Sequence, residues 1–280
     1  MIFTLDIGGT YTKYAHIANG EIVQKGKWKT TDDFSELLKN IDSVITSPVE
    51  RIGISCVGFW KANGDPVGCS SLNSIVENPL CKTLADKYRC PVCIENDARC
   101  ALLAEAKYGV LKDTQNAVLF VLGSSLGCAV QLGGKLLAGA TGQAGAMFMM
   151  PEFYDGGTYL FDEAANSIQL TKEYDPSAKS GNMLLLEEKA LAGDDKAAAL
   201  LEKYAKAVAS KCWYAYLSYD PECIALGGGI ANSRYIFEKI QSELKGFFKA
   251  DTSGRLPVLV RTKFGEDSNL LGAALLKNRN

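Results

Sequence analysis

One pattern occurs twice in this sequence and restricts the fold more than any other feature. A short apolar run, Ile2-Phe3-Thr4-Leu5, passes through Asp6-Ile7-Gly8-Gly9-Thr10 and resumes as Tyr14-Ala15-His16-Ile17. Far downstream, Ala117–Leu122 enters Gly123-Ser124-Ser125-Leu126-Gly127 and returns as Cys128–Leu132 before a Gly133-Gly134 turn. Each unit of strand, polar glycine loop and strand predicts a hairpin. Their recurrence at long period predicts a duplicated architecture of two α/β halves facing one cleft. A length of 280 residues agrees with about two domains.

The segments between the repeats fit that plan. Gly20 marks a turn towards Glu21-Ile22-Val23, giving three antiparallel strands at the start of the chain. Phe34, Leu37, Leu38, Ile41 and Ile45 recur at helical spacing behind an Asp32/Asp33 cap, and Arg51–Val57 reads as a buried strand. Helix then strand predicts a crossover unit. Asn78-Pro79 starts a helix to about Tyr88. Val92-Cys93-Ile94 is a short strand running into Glu95-Asn96-Asp97, which opens an Ala- and Leu-rich helix. Further on, 184–191 and 195–219 read as helices and Cys223–Leu226 as a strand ending in three glycines. A helix follows Asn232-Ser233, 257–260 reads as a strand, and 267–277 reads as a last helix capped by Asp267 or Ser268. Residues 133–182, rich in Gly, Met and Tyr, read as loops near the site.

Composition excludes several functions. A net charge of −2 advertises no basic surface for nucleic acid or anionic lipid. No apolar run reaches the length of a membrane span, and no secretory leader is signalled. Nine cysteines, an odd number in a chain too large to need staples, predict reduced thiols and a cytoplasmic location. A single histidine leaves little room for a Ser-His-Asp triad or a His-rich metal site, so any acid or base is expected to be a carboxylate. His16 itself reads as a hairpin residue. Cys90-Pro91-Val92-Cys93 has redox or zinc spacing, but no second pair completes a site, so structural thiols are expected.

Three glycine loops lie at strand ends: Gly8-Gly9-Thr10, Gly123–Gly127 and Gly227-Gly228-Gly229. Uncovered backbone N–H groups and hydroxyls donate to phosphate oxygens, and Asp6 can hold Mg²⁺ directly or through water. With Thr10 and Lys13, these loops describe a nucleotide site. Neither G-x-x-x-x-G-K-[ST] nor G-x-G-x-x-G occurs, which disfavours P-loop and dinucleotide folds. Asn96-Asp97 is the best catalytic candidate. A helix N-terminus stabilises a carboxylate, and Asn offers donor and acceptor to a polyol. The alternative at this point is that Asp97 simply caps its helix.

Asp6-Ile-Gly-Gly-Thr10 with Lys13, Glu95-Asn-Asp-Ala98 followed by Ala101–Glu105, Gly139-Ala-Thr-Gly-Gln-Ala-Gly145, and Asp220–Gly229 resemble, in order, the signatures of the ROK family. That family holds bacterial sugar kinases and sugar-responsive repressors within the actin-like ATPase superfamily. The resemblance implies two ribonuclease-H-like α/β domains with ATP and sugar in the cleft between them. Residues 1–112 with 266–280 would form the smaller domain and 113–265 the larger, the C-terminal helix crossing back to the first. It implies that Asp97 is the general base that takes the proton from a sugar hydroxyl, O6, as it attacks the γ-phosphate. Asn96, Gly58 and, less strongly, Asn73 would hold the sugar. Gly8, Gly9, Thr10, Lys13, Ser124 and Gly127 would contact phosphates, Gly228 and Gly229 would approach the adenosine, and Asp6 would organise Mg²⁺. A homodimer is implied by the resemblance alone.

The departures are informative. Many members continue Ala-Gly with Glu-x-Gly-His and then a cysteine-rich zinc motif. Here Ala144-Gly145 is followed by Ala146-Met147-Phe148-Met149, and residues 150–170 contain no Cys or His, so no zinc is expected. Phe161 stands where a second sugar-binding Glu would lie. Two readings follow. A site enlarged by Met and Phe accepts a hexose or β-glucoside with a bulkier aglycone, as in the zinc-free β-glucoside kinases the chain resembles. Alternatively, the protein is a weak kinase or a sugar or nucleotide sensor. The Met147–Met150 run either lines such a pocket or packs irregular core. The chain opens on its first strand, so a repressor with its own DNA-binding helices is not expected.

Overall fold

A computed structural model describes residues 1–61, 63–68, 72–154, 157–247 and 257–277. Contacts divide the chain into two compact units: Met1–Tyr108, Ala138–Ala144 and the segment from Asp267 onward; and Gly109–Leu137 with Gly145–Glu266.

In the first unit, β1 (Ile2–Ile7) is buried almost throughout, with Phe3, Leu5 and Ile7 on one face and Thr4 and Asp6 on the other, so it becomes the central strand. It pairs antiparallel with β2 (Tyr11–Ala18), which pairs antiparallel with β3 (Glu21–Lys29). Helix α1 (Phe34–Val44) follows, with Asp33 accepting the Glu36 N–H as its cap. It crosses over to β4 (Arg51–Cys56), parallel to β1. A small hairpin, β5 (Phe59–Trp60) and β6 (Pro66–Gly68), precedes α2 (Asn73–Glu77) and α3 (Leu80–Tyr88). Strand β7 (Val92–Asn96), parallel to β4, then enters α4 (Asp97–Tyr108). The sheet order is β3-β2-β1-β4-β7.

The second unit repeats this sheet. Strand β8 (Ala117–Leu122) pairs antiparallel with β9 (Leu126–Leu132), which pairs with β10 (Lys135–Leu136). Residues 133–182, read from sequence as loops, also contain the hairpin β11 (Pro151–Tyr154) and β12 (Gly157–Leu160) and two helices, α5 (Phe161–Ala164) and α6 (Ser167–Tyr174). These elements are too short to show periodicity, and the hairpin is defined by pairing instead. Helices α7 (Met183–Leu191) and α8 (Asp195–Tyr219) follow. The buried positions of α8 are dominated by Ala and Leu, which lets it lie close to its neighbours. Strand β13 (Cys223–Gly227), helix α9 (Arg234–Phe247) and strand β14 (Val258–Arg261) complete the unit, with sheet order β10-β9-β8-β13-β14. Both sheets therefore have three antiparallel strands followed by two parallel ones, as the repeated pattern predicts.

The last helix, α10 (Ser268–Ala273), returns to the first unit and packs on β1, β4 and α4. Its approach is closer than a side chain allows. A Cβ on Gly272 would lie 1.7 Å from the Cys100 carbonyl oxygen, and one on Gly53 would lie 2.0 Å from that of Ala273. The helix is shorter than the expected 267–277, and Asp267 does not cap it with its side chain. The Asp267 carboxylate is instead engaged by Lys25 Nζ at 2.7 and 2.8 Å. No helix among the described residues is long and apolar enough to cross a membrane.

Candidate active site

The carboxyl ends of the parallel strands gather the chemistry of the first unit, as expected for open α/β sheets. Register sets Lys13 opposite Asp6, Asp6 opposite Ser55, and Ser55 opposite Glu95, so one row of polar residues crosses the sheet. Ser55 Oγ donates to Asp6 Oδ1 at 2.8 Å. The Asn269 amide of α10 donates to the same oxygen at 3.0 Å. Asp6 is thus oriented from two sides at the end of the central strand. A single oriented carboxylate beside a glycine turn suits Mg²⁺, which keeps several waters and shares its remaining positions with phosphate oxygens. That turn is tight: Gly8 N–H donates to Tyr11 O at 3.2 Å, and Thr30 Oγ1 donates to Gly8 O at 2.7 Å. Gly9 and Thr10 remain exposed.

Asp97 begins α4 where β7 ends. The cap of this helix is Asn96, whose Oδ1 accepts the Arg99 N–H at 3.2 Å. The Asn96 Nδ2 group donates to Gly58 O at 2.8 Å and to Asp97 Oδ1 at 2.9 Å, while the Ala98 N–H donates to Asp97 Oδ1 at 2.8 Å. Asp97 is therefore a held carboxylate with partial exposure rather than the helix cap. Burial pushes its pKa up to about 6; the Asp6 charge acts in the same direction, and hydrogen bonds from Ala98 and Asn96 oppose it. Gly58, at φ +92, turns its carbonyl towards Asn96 in a conformation that favours glycine.

Of the residues expected to hold sugar, Asn96, Asp97 and Gly58 come together. Asn73 is exposed at the first position of α2, and no hydrogen bond among the described residues ties it to them.

The second unit gathers the other two glycine loops. Gly228 has φ +84, and a Cβ there would lie 2.4 Å from Leu122 O, so the end of β13 lies directly against the end of β8. Gly229 beside it opens onto free space. Ser124 is exposed in the β8–β9 loop, with Gly127 partly exposed. Ser125 Oγ donates to Asp162 Oδ1 at 2.5 Å and Ser167 Oγ to Gly123 O at 2.9 Å, so α5 and α6 pin the loop. Burial raises the Asp162 pKa against that hydrogen bond.

Sequence reasoning missed Ser55, Asn269 and Asp162. Strand register offered the only signal, and only for Ser55. Met147 and Phe161, 4% and 1% exposed, are core residues of the second unit, Phe161 lying 6.4 Å from the Tyr204 ring. They pack core rather than line a pocket. Among the described residues, no group of three or more His, Cys, Asp or Glu is arranged to hold a metal.

A duplicated α/β sheet with an oriented carboxylate on its first strand and a second at a strand–helix junction defines a protein of the actin-like ATPase class. The chain belongs to the ROK family, whose family model matches residues 2–280. An N-acetyl-D-glucosamine kinase of Vibrio vulnificus is 25% identical, with 99% of each chain covered. An N-acetylmannosamine kinase of Vibrio cholerae is 27% identical over 86% of this chain and 88% of its own. Among solved structures, a ROK family glucokinase from Streptomyces griseus in complex with glucose and AMPPNP superposes with a TM-score of 0.83 at 20% identity, covering 98% of this chain and 97% of its own. A ROK family protein from Streptococcus pneumoniae in complex with sucrose reaches 0.86 at 24%, covering 98% and 96%. These two structures establish the fold.

Proposed function

We propose that this chain is an ATP-dependent sugar kinase that phosphorylates a hexose or N-acetylhexosamine at O6, with Asp97 as general base. The observation that carries the reading is the Asp97 carboxylate itself, held by Asn96 at the mouth of α4 with its pKa raised to about 6. A base whose pKa lies near the working pH is mostly ionised yet still strong enough to accept a proton. The family relationship and the sugar kinases among its relatives support the reaction class. The O6 acceptor rests on the family resemblance.

In this mechanism the O6 proton passes to Asp97 as O6 bonds to the γ-phosphorus. The bond from that phosphorus to the β–γ bridging oxygen breaks, and its electron pair leaves with ADP. Phosphoryl transfer asks little covalent work of the protein, so positioning and charge stabilisation dominate. Asn96 fixes the Asp97 carboxylate, Ser55 and Asn269 fix Asp6, and the phosphate contacts are assigned to Gly8, Gly9, Thr10 and Lys13 of the first unit and, by the family resemblance alone, to Ser124 and Gly127 of the second. Gly228 and Gly229 would accept the adenosine, since no side chain stands in the way at Gly229. When bound, Mg²⁺ neutralises charge on the phosphate oxygens, with Asp6 as the residue that would hold it.

Met147 and Phe161 pack core and so do not enlarge a sugar pocket, whereas Met149 is exposed, and a β-glucoside stays beside hexose and N-acetylhexosamine as an acceptor for the substrate panel to decide. A zinc-free substrate loop follows from the absence of Cys and His over 150–170. The rival reading, a sugar sensor without turnover, is favoured by Ala146, where the resemblance leads one to expect a carboxylate. A coupled ADP-release assay over glucose, N-acetylglucosamine, N-acetylmannosamine and methyl β-glucoside separates the two. Calorimetric sugar binding without ADP release from any of them would overturn the kinase.

A further inference from the structure

Arg99 lies one position past Ala98 in the first turn of α4, is 1% exposed, and points away from solvent. A buried guanidinium must be neutralised and hydrogen-bonded. Neutralisation comes from Glu95, 3% exposed, whose Oε1 lies 3.3 Å from Arg99 Nη1. The hydrogen bonds go to a segment distant in sequence: Arg99 Nη2 lies 2.8 Å from Gly142 O, 3.1 Å from Ala144 O and 3.3 Å from Ala138 O. Three carbonyls of one short loop converge on one nitrogen because Gly139 and Gly142 take φ of +75 and +79, and because Ala144 N–H closes the loop onto Ala138 O at 3.2 Å. This is why Ala138–Ala144 groups with the first unit, although the chain on both sides of it belongs to the second.

The same Glu95 oxygen accepts the backbone N–H of Asn96 at 2.8 Å. A continuous set of polar contacts thus runs from the loop through Arg99 and Glu95 to Asn96, and from Asn96 to Asp97. The loop also abuts the hairpin behind Gly58, since a Cβ on Gly142 would stand 3.4 Å from Trp60 O. Arg99 further lies 5.9 Å from the centroid of the Phe59 ring. Asn96, which holds Asp97, thus contacts Gly58 directly and is tied to the loop through Glu95 and Arg99.

We infer that Arg99 is a positioning residue for the sugar side of the site, latching Ala138–Ala144 to the strand–helix junction that carries Asp97. This rests on the kinase reading above. A planar guanidinium suits several spread acceptors, whereas an ammonium is a compact point charge on a shorter reach. Arg99→Lys keeps the charge beside Glu95 and loses the carbonyl cluster. Glu95→Gln keeps an acceptor for Asn96 and weakens the ion pair.

The test measures both variants against the native protein, using whichever of glucose, N-acetylglucosamine and N-acetylmannosamine the native protein turns over. Arg99→Lys is expected to raise the sugar KM at least tenfold, with the ATP KM within twofold and kcat within threefold. Glu95→Gln is expected to move the sugar KM in the same direction by about threefold. A sugar KM within twofold of native in Arg99→Lys, or sugar and ATP constants that rise together, would overturn the latch. Hydrogen exchange supplies a readout that needs no turnover. Amides of residues 138–144 should exchange at least tenfold faster in Arg99→Lys, while peptides of α8 are unchanged. If the native protein turns over no sugar, the kinase reading falls, and unchanged exchange at 138–144 then removes the latch separately. If Arg99→Lys does not fold, Glu95→Gln decides on the same two readouts.

Discussion

The Asn96 side chain donates to Asp97 Oδ1 at 2.9 Å while its own Oδ1 caps α4 through the Arg99 N–H at 3.2 Å. One residue therefore ends the strand, starts the helix and orients the neighbouring carboxylate. Asn96→Ala should cost about 1 kcal/mol through the lost cap and reduce kcat at least tenfold. Asn96→Asp should keep the cap but set a like charge beside Asp97, moving the acidic limb of the pH–rate profile upward. Steady-state kinetics across pH on the two variants check this, and an unmoved limb in Asn96→Asp would refute the contact.

Asp97 ionises with a pKa of about 6, and a base works only when ionised. The log of kcat/KM should therefore fall with unit slope below about pH 6 and level off above it. Asp97→Asn should lose about a thousandfold in kcat while still binding ATP, and near-native turnover would exclude Asp97 as base.

The same shift predicts a stability effect of opposite sign. Burial raises the folded pKa above the unfolded value, so ionisation penalises the fold as pH rises from about 4 to about 6, and the penalty persists above that. Asp97→Asn should match the native Tm at pH 4 and exceed it at pH 7, by an amount corresponding to about 1–2 kcal/mol after allowance for partial exposure. Thermal melts at the two pH values test it.

Gly228 and Gly229 are adjacent but should respond oppositely to alanine. At Gly228 the added Cβ meets Leu122 O at 2.4 Å with φ at +84, whereas at Gly229 it meets nothing within 4 Å and φ is −60. Gly228→Ala should destabilise by at least about 2 kcal/mol and weaken nucleotide binding. Gly229→Ala should leave stability within about 0.5 kcal/mol. Denaturant titration with and without ATP distinguishes them.

Burial pushes the thiols of Cys81 and Cys212 up to about 12 and that of Cys223 to about 11. A thiol reagent at pH 8 should leave these three unmodified in the native protein and label them all in guanidinium. Mass spectrometry of digests reads the result, and native labelling at Cys212 would contradict its burial.

The two sheets were legible in the sequence because strand alternation and glycine turns are local signals and occur twice. Asn96-Asp97 was legible for the same reason, lying where an apolar strand meets an alanine-rich helix. What that junction does was not. Which residue caps α4 turned on whether Asn96 or Asp97 faces the free N–H of Arg99, which depends on side-chain direction. Residues 133–182 were opaque because their elements are short, and the Met147–Met150 run stayed open between pocket and core because nothing local reveals which face meets the core.

By itself the sequence determined the duplicated α/β plan, the glycine loops at strand ends and the place of Asp6 and Asp97 at strand ends, since each depends on residues within a few positions of one another. Tertiary structure alone decided who holds these groups. Asp6 is oriented by Asn269 from the opposite end of the chain, and Arg99 gathers the carbonyls of Ala138, Gly142 and Ala144. Burial favours partnered polar groups, but which partner arrives depends on how the chain returns, as where Gly53 and Gly272 let α10 approach within van der Waals contact of the sheet and α4.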